Sequence, residues 1–235
     1  MPTINVRTFF PLAPVGVLVL GLGCLSPLAH AGLTINSVVG GVPSGAASYV
    51  NFDDLPLGSA GGSSAGIAVS FTGTGRTVQG SLAGQYAAPY LSNHNGAQFG
   101  NADGLDATPY LSTGIGTVIM RLPGAEKYFG LLWGSVDTYN TLEFFDANDV
   151  SLGTITGSQV AAVANGNQGA SGTYYVNIDS TTAFNKVVAR SSSYAFEFDN
   201  VAFNVTELSV PEPESAALLA MGLGGLCFAR RRRAA

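Results

Sequence analysis

Between its two ends the chain carries few side chains suited to covalent chemistry, and most of them are carboxylates. Residues 32–209 contain one histidine, His94, and no cysteine, because Cys24 and Cys227 lie in apolar terminal segments. One His and no Cys cannot furnish the three protein ligands of a catalytic zinc. Ser-His-Asp hydrolysis would need His94 together with a nucleophile. Gly62-Ser63-Ser64-Ala65-Gly66 fits the G-x-S-x-G formula, but a nucleophile elbow needs a strand before it and a helix after it. Here the match falls in Gly/Ser-rich chain that runs into a strand pattern. Glycoside hydrolysis needs two carboxyl groups flanking the sugar, and Asp53, Asp54, Asp103, Asp106, Asp137, Glu143 and Asp199 are available. Their settings read as turns and solvated strand faces, where carboxylates need no catalytic role. No catalytic residue is assigned.

Binding chemistry is better served. Asn101, Asp103 and Asp106, and separately Asp146-Ala147-Asn148-Asp149, cluster oxygen ligands in Gly/Asn turns of the kind Ca²⁺ takes. Neither has the spacing or distal Glu of an EF-hand, and Asx-rich turns also form without metal by capping their own backbone. A structural Ca²⁺ at Asn101, Asp103 and Asp106 is the one cofactor expectation. Tyr86, Tyr90, Tyr110, Tyr139, Tyr174 and Tyr194 offer rings on which a sugar can stack beside Asn, Asp and Gln. Tyr90 and Tyr110 follow Pro89 and Pro109 near polar loops, so these two are expected to be exposed. Trp133, close behind Phe129, Leu131 and Leu132, is assigned to the core.

Charge narrows the partners. The chain has 235 residues, 11% charged, with 10 Lys and Arg against 15 Asp and Glu, a net of −5. Within residues 32–209 the balance is 13 acidic against 5 basic (Arg76, Arg121, Lys127, Lys186, Arg190), a net of −8. Nucleic acid is excluded as a partner, because phosphate recognition needs a basic surface.

Short strands must position these groups. Residues 66–71 alternate apolar and polar side chains, 117–122 are β-branched and apolar, and 128–133 read as a buried run. Residues 141–145 and 150–156 flank the polar turn 146–149 as a hairpin. Strands at 173–178, 184–189 and 194–205 follow, with Ala195-Phe196-Glu197-Phe198-Asp199 in clean alternation. Residues 58–66 and 161–172 are expected as loops. No long helical period appears between the termini. The fold class is all-β, an antiparallel β-sandwich of jelly-roll type, as one domain over 32–207.

The ends are addresses. Residues 1–31 read as a signal peptide: Arg7, an apolar stretch over 15–25, and Ala29-His30-Ala31 with cleavage after Ala31. Residues 208–235 hold Pro211-Glu212-Pro213, an apolar run over 215–229, and Arg230, Arg231, Arg232 and Arg233. A helix over that run is about 22 Å long, short of the roughly 30 Å hydrocarbon core, so it spans only with thinning or snorkelling. The arginines stop translocation and stay cytoplasmic.

Motif, weak membrane helix and basic cluster, in that order, resemble the PEP-CTERM sorting signal of Gram-negative exosortase substrates. Tyr110-Leu111-Ser112, residues 128–142 and Phe198-Asp199-Asn200-Val201 are similar to one subgroup of PEP-CTERM surface proteins. The resemblance implies export through the translocon, signal peptidase cleavage, transient inner-membrane anchoring and recognition by an exosortase near Pro211-Glu212-Pro213. It implies release or attachment at the cell surface or in the matrix, in company with exopolysaccharide and biofilm. No catalytic activity comes with it. The expected function is a non-enzymatic surface or matrix protein. A lectin-like polysaccharide-binding module is the first alternative, and a carbohydrate-active hydrolase on a β-sandwich is the second.

Overall fold

A computed structural model describes residues 32–44, 48–93, 95 and 103–205. The expected signal peptide with Ala29 and Ala31, His94, Asn101, the sorting motif Pro211-Glu212-Pro213 and Arg230–Arg233 lie outside the described residues. In chain order the strands are β1 (Leu33–Val39), β2 (Ser48–Val50), β3 (Gly61–Ser64), β4 (Ile67–Gly73), β5 (Arg76–Val78), β6 (Tyr90–Leu91), β7 (Gly104–Leu105), β8 (Tyr110–Thr113), β9 (Gly116–Gly134), β10 (Asn140–Phe145), β11 (Ser151–Thr156), β12 (Tyr174–Ser191) and β13 (Phe196–Asn204). A single helical turn, α1 (Gly157–Val160), follows β11. The protein is all-β and every ladder is antiparallel.

Two long strands organise the sheet. β9 and β12 run side by side from Gly116↔Ser191 to Trp133↔Tyr174, with register shifts on either side of Phe184. Pro123 and Gly124 occupy the matching stretch of β9, where proline has no N–H to give a ladder. On one side of this irregularity β4 pairs with β9, with β3 beyond it, while β10 pairs with β12, with β11 beyond it. On the other side β13 pairs with β9 and β1 pairs with β12. There β8 and then β5 extend the sheet from β13, and β2 pairs with its far end. β6 and β7 form a separate two-stranded ribbon.

Several expectations change in detail. Residues 117–122 and 128–133 form one strand, as do 173–178 and 184–189, since a bulge bends each strand without ending it. Residues 58–66 contain β3, paired to β4 through the two-residue turn Ala65-Gly66 at φ 42° and 89°. That positive-φ pair is what a tight hairpin demands. The G-x-S-x-G match is this hairpin: Ser64 is buried and a strand follows it, so the geometry of a nucleophile elbow is absent.

Inward-facing side chains of both halves meet in one core. Phe129, Phe144 and Phe184 contact one another edge-to-face at centroid distances of 5.1–6.5 Å, and Trp133 stacks on Phe196 at 4.3 Å. Such pairs add about 0.5–1.5 kcal/mol beyond the area they bury. Trp133 is fully buried there, as its apolar neighbours led one to expect.

The opposite face of the β9–β13–β8 half is also covered. The β6–β7 ribbon and the chain flanking it cross this face: Leu91 packs on Leu132 and Tyr175, and the Tyr110 hydroxyl donates to the Gly80 carbonyl at 2.6 Å. Glu197 and Asp199 point to this face and are 1% and 0% exposed. The alternation of β13 suggested a solvated face for Asp199. The covering chain makes it interior.

Candidate functional site

Where the covering chain ends, a polar pocket of about 210 Å³ opens at the start of β13. Its walls come from four places in the sequence: Tyr86 before β6, Ser135 and Asp137 after β9, Asn165 in the loop after α1, and Glu197 on β13. Tyr139 and the exposed Tyr194 complete the rim.

Each side chain is held from behind. Glu197 receives the Ala87 N–H on Oε1 at 2.8 Å and the Ser135 hydroxyl on Oε2. Burial nevertheless pushes its carboxyl up to about 7, with nearby Asp137 adding to the rise and the two hydrogen bonds opposing it. Asp137 is also raised by burial, against the opposing hydrogen bond from Tyr139. The Tyr139 hydroxyl lies 2.6 Å from Asp137 Oδ2 and 2.6 Å from the Tyr194 carbonyl oxygen, one proton between two acceptors. Asn140, fully buried, donates to the Ala195 carbonyl at 2.9 Å and accepts from Ser191. This clamp fixes the segment carrying Tyr194. Gly166 passes so close to Asp137 that a Cβ would sit 2.7 Å from Oδ2, at a φ of +70°. Only glycine fits there without strain.

Arg76 guards the outer edge. Its guanidinium donates to Gln85 Oε1 at 2.6 Å and lies 5.5 Å from the centre of the Tyr86 ring. Beneath, Tyr86 meets Tyr110 edge-on at 6.5 Å.

The tyrosines divide differently from the sequence reading. Tyr86, Tyr139 and Tyr194 reach the pocket. Tyr110 is fully buried, its hydroxyl bonded to Gly80 and its own ionisation pushed up by burial. The covering chain closes over Tyr110, so it offers no ring to a ligand and instead supports Tyr86. Tyr90 is half-buried in β6, its backbone N–H bonded to Thr173 Oγ1 at 3.0 Å, and does not line the pocket.

The calcium turns also separate. Asp103 is exposed while Asp106 is 2% exposed. In the hairpin turn 146–149, Asp146 Oδ1 accepts the Asn148 and Val150 N–H groups at 2.9 and 2.8 Å, and Lys186 pairs with Asp149. That turn is satisfied without metal. Among the described residues no group of three His, Cys, Asp or Glu side chains is placed to hold a metal ion.

With the pocket described, the tail supplies the remaining identification. Residues 209–233 match the PEP-CTERM protein-sorting motif. The chain carries a PEP-CTERM sorting signal. That signal makes an exosortase its sorting partner and directs the protein to export and membrane-anchored sorting toward the cell surface. No curated protein and no solved structure matches the chain. Among the described residues no helix is long and apolar enough to cross a membrane; the apolar run 215–229 of the PEP-CTERM segment lies outside them.

Proposed function

We propose that this protein is a non-enzymatic component of the cell surface or extracellular matrix, delivered as an exosortase substrate and working in association with exopolysaccharide. The observation that carries the reading is the PEP-CTERM match at residues 209–233. Signal peptide removal at Ala31, anchoring by residues 215–229 and arrest at Arg230–Arg233 complete the route. The two halves of the sheet, which share one apolar core, support reading the domain as a β-sandwich of jelly-roll type. The test is to change Pro211-Glu212-Pro213 to alanines in an exosortase-positive cell. The expected outcome is an unprocessed chain retained in the inner membrane; unchanged processing and localisation would overturn the sorting assignment.

The pocket favours a second, compatible reading: it holds a sugar of that polysaccharide. Tyr194 and Tyr86 supply ring faces, and Asn165, Gln168 and Asp137 supply hydrogen-bonding groups beside them. At about 210 Å³ it is smaller than the roughly 300–1,000 Å³ of drug-sized sites, which suits one sugar ring. Binding is supported over hydrolysis because both Glu197 oxygens are already engaged by Ala87 and Ser135. Saturable binding of the full chain, in mild detergent, to the producing organism's exopolysaccharide is expected. Tyr194→Ala is expected to abolish it and Tyr90→Ala to leave it intact. Equal binding by wild type and Tyr194→Ala would remove the pocket from the account.

A further inference from the structure

Two residues beyond Glu197 on β13 lies a buried carboxyl that no side-chain donor compensates. Asp199 is fully buried, and neither carboxyl oxygen meets a donor in good hydrogen-bond geometry, although the Asn200 N–H is nearby. It stands just before a bulge, where the register with β9 shifts and Asn200 adopts φ 49°. Bulges of this kind re-aim side chains. The Asp199 carboxyl comes within hydrogen-bonding reach of the Asp106 carboxyl. Asp106 arrives from the covering chain, its backbone N–H bonded to the Pro89 carbonyl at 2.9 Å. Its Oδ1 accepts the Thr108 N–H and hydroxyl at 2.9 and 2.8 Å, while its buried Oδ2 has no partner. Asp53, after β2, brings a third carboxyl close enough to act electrostatically on Asp199, and its Oδ1 is likewise buried and unpartnered. None of the three is in an ion pair among the described residues.

Two carboxyl groups facing each other in the interior cannot both stay charged without a counter-charge, because an isolated buried carboxylate is prohibitively expensive. One shared proton would neutralise half of the pair and still leave buried oxygens without donors. A divalent cation neutralises both and takes the oxygens as ligands. The set is all oxygen, with no nitrogen or sulfur, which suits a hard cation. Ca²⁺ accepts six to eight oxygens, carboxylate, amide, backbone or water, in flexible geometry. It therefore does not require a third carboxylate at ligand distance.

We propose that Asp106 and Asp199 form the carboxylate pair of a buried binding site for one Ca²⁺ ion, completed by backbone, amide or water oxygens. The site shares only Asp106 with the turn 101–106. The ion joins two segments far apart in sequence and pins the covering chain to β13. It stands independently of how the protein is sorted.

Equilibrium dialysis of the full chain in mild detergent, at about 1 mM free ⁴⁵Ca²⁺, the upper range for extracellular calcium modules, tests it. One ion per chain is expected for wild type and for Asp103→Asn, and none for Asp199→Asn or Asp106→Asn. Melting in EDTA keeps the result interpretable. Asp199→Asn keeps the shape of the side chain without an ionisable carboxyl, so its melting temperature in EDTA is expected to match or exceed that of wild type, with no gain on adding Ca²⁺. Retention of the ion by Asp199→Asn, or no retention by wild type, would overturn the site. Retention of Mg²⁺ in preference to Ca²⁺ would overturn its assignment to calcium.

Discussion

β10 and β13 are written in the same alphabet and end in different surroundings. In β10, Leu142 and Phe144 enter the core while Thr141 and Glu143 stay partly exposed, and Glu143 pairs with Arg190 at 3.1 Å. In β13, Phe196 and Phe198 enter the same core, but Glu197 and Asp199 are buried too. The alternation is equally clean in both. What differs is a piece of chain, reaching Glu197 from Ala87 110 residues upstream, that lies across one strand and not the other. Period-2 patterning identifies the face that seeks the core; it carries no information about what covers the other face.

The largest effects should be common to both strands. Phe144→Ala and Phe198→Ala are each expected to cost about 3–5 kcal/mol in denaturant unfolding, as buried Phe truncations do. A clear inequality between them would show that the two strands do not share one cooperative core.

The polar face of β13 should then make stability depend on pH. The Glu197 carboxyl sits near 7 in the folded protein against 4.5 as a free side chain. The folded state therefore holds the proton that the unfolded chain has lost. Stability of the EDTA-treated protein is expected to fall as pH rises from 4.5 to 7 and to level off above, by about 3 kcal/mol from this group. Asp199 and Asp137, also raised by burial, add in the same direction. Glu197→Gln should flatten this slope without erasing it. A wild-type stability that rises over that range would contradict the burial of β13's polar face.

A smaller effect is expected at the pocket. Tyr139→Phe deletes the hydroxyl between Asp137 and the Tyr194 carbonyl and should cost about 1 kcal/mol, together with weaker sugar binding. The smallest belongs to β10, where Glu143→Gln is expected to change stability by about 0.5 kcal/mol or less, and less still at high salt. A stability loss in Glu143→Gln as large as that of Phe144→Ala would erase the contrast between the two strands.

Much of the fold could be read directly. The hairpin around 146–149, the core position of Trp133 and the all-β class follow from apolar periodicity and turn residues, which are local signals. Residues 117–122 and 128–133 read as two runs, whereas across the intervening Pro123-Gly124 two neighbours shift register together and the strand continues. The pocket was half legible. Tyr86, Tyr139 and Tyr194 were among six candidate tyrosines, but a preceding proline was a poor guide to exposure, since Tyr110 is roofed by distant chain. Glu197 was missed altogether. Its position between Phe196 and Phe198 was the one available signal, and it looked the same as that of Glu143.

The pocket lies at the beginning of β13, at Glu197, and the sorting segment follows its end, beyond Asn204. A protein held to the cell through its tail and to a polymer through that pocket would be stretched between the two ends of a single strand. Tension would run lengthwise along β13 and load its ladders with β9, β8 and β2 in shear, so that many hydrogen bonds share the force together. Peeling from an edge would break them one at a time. β13 has partners on both sides, an arrangement that would make a strand loaded at both ends a mechanically strong element.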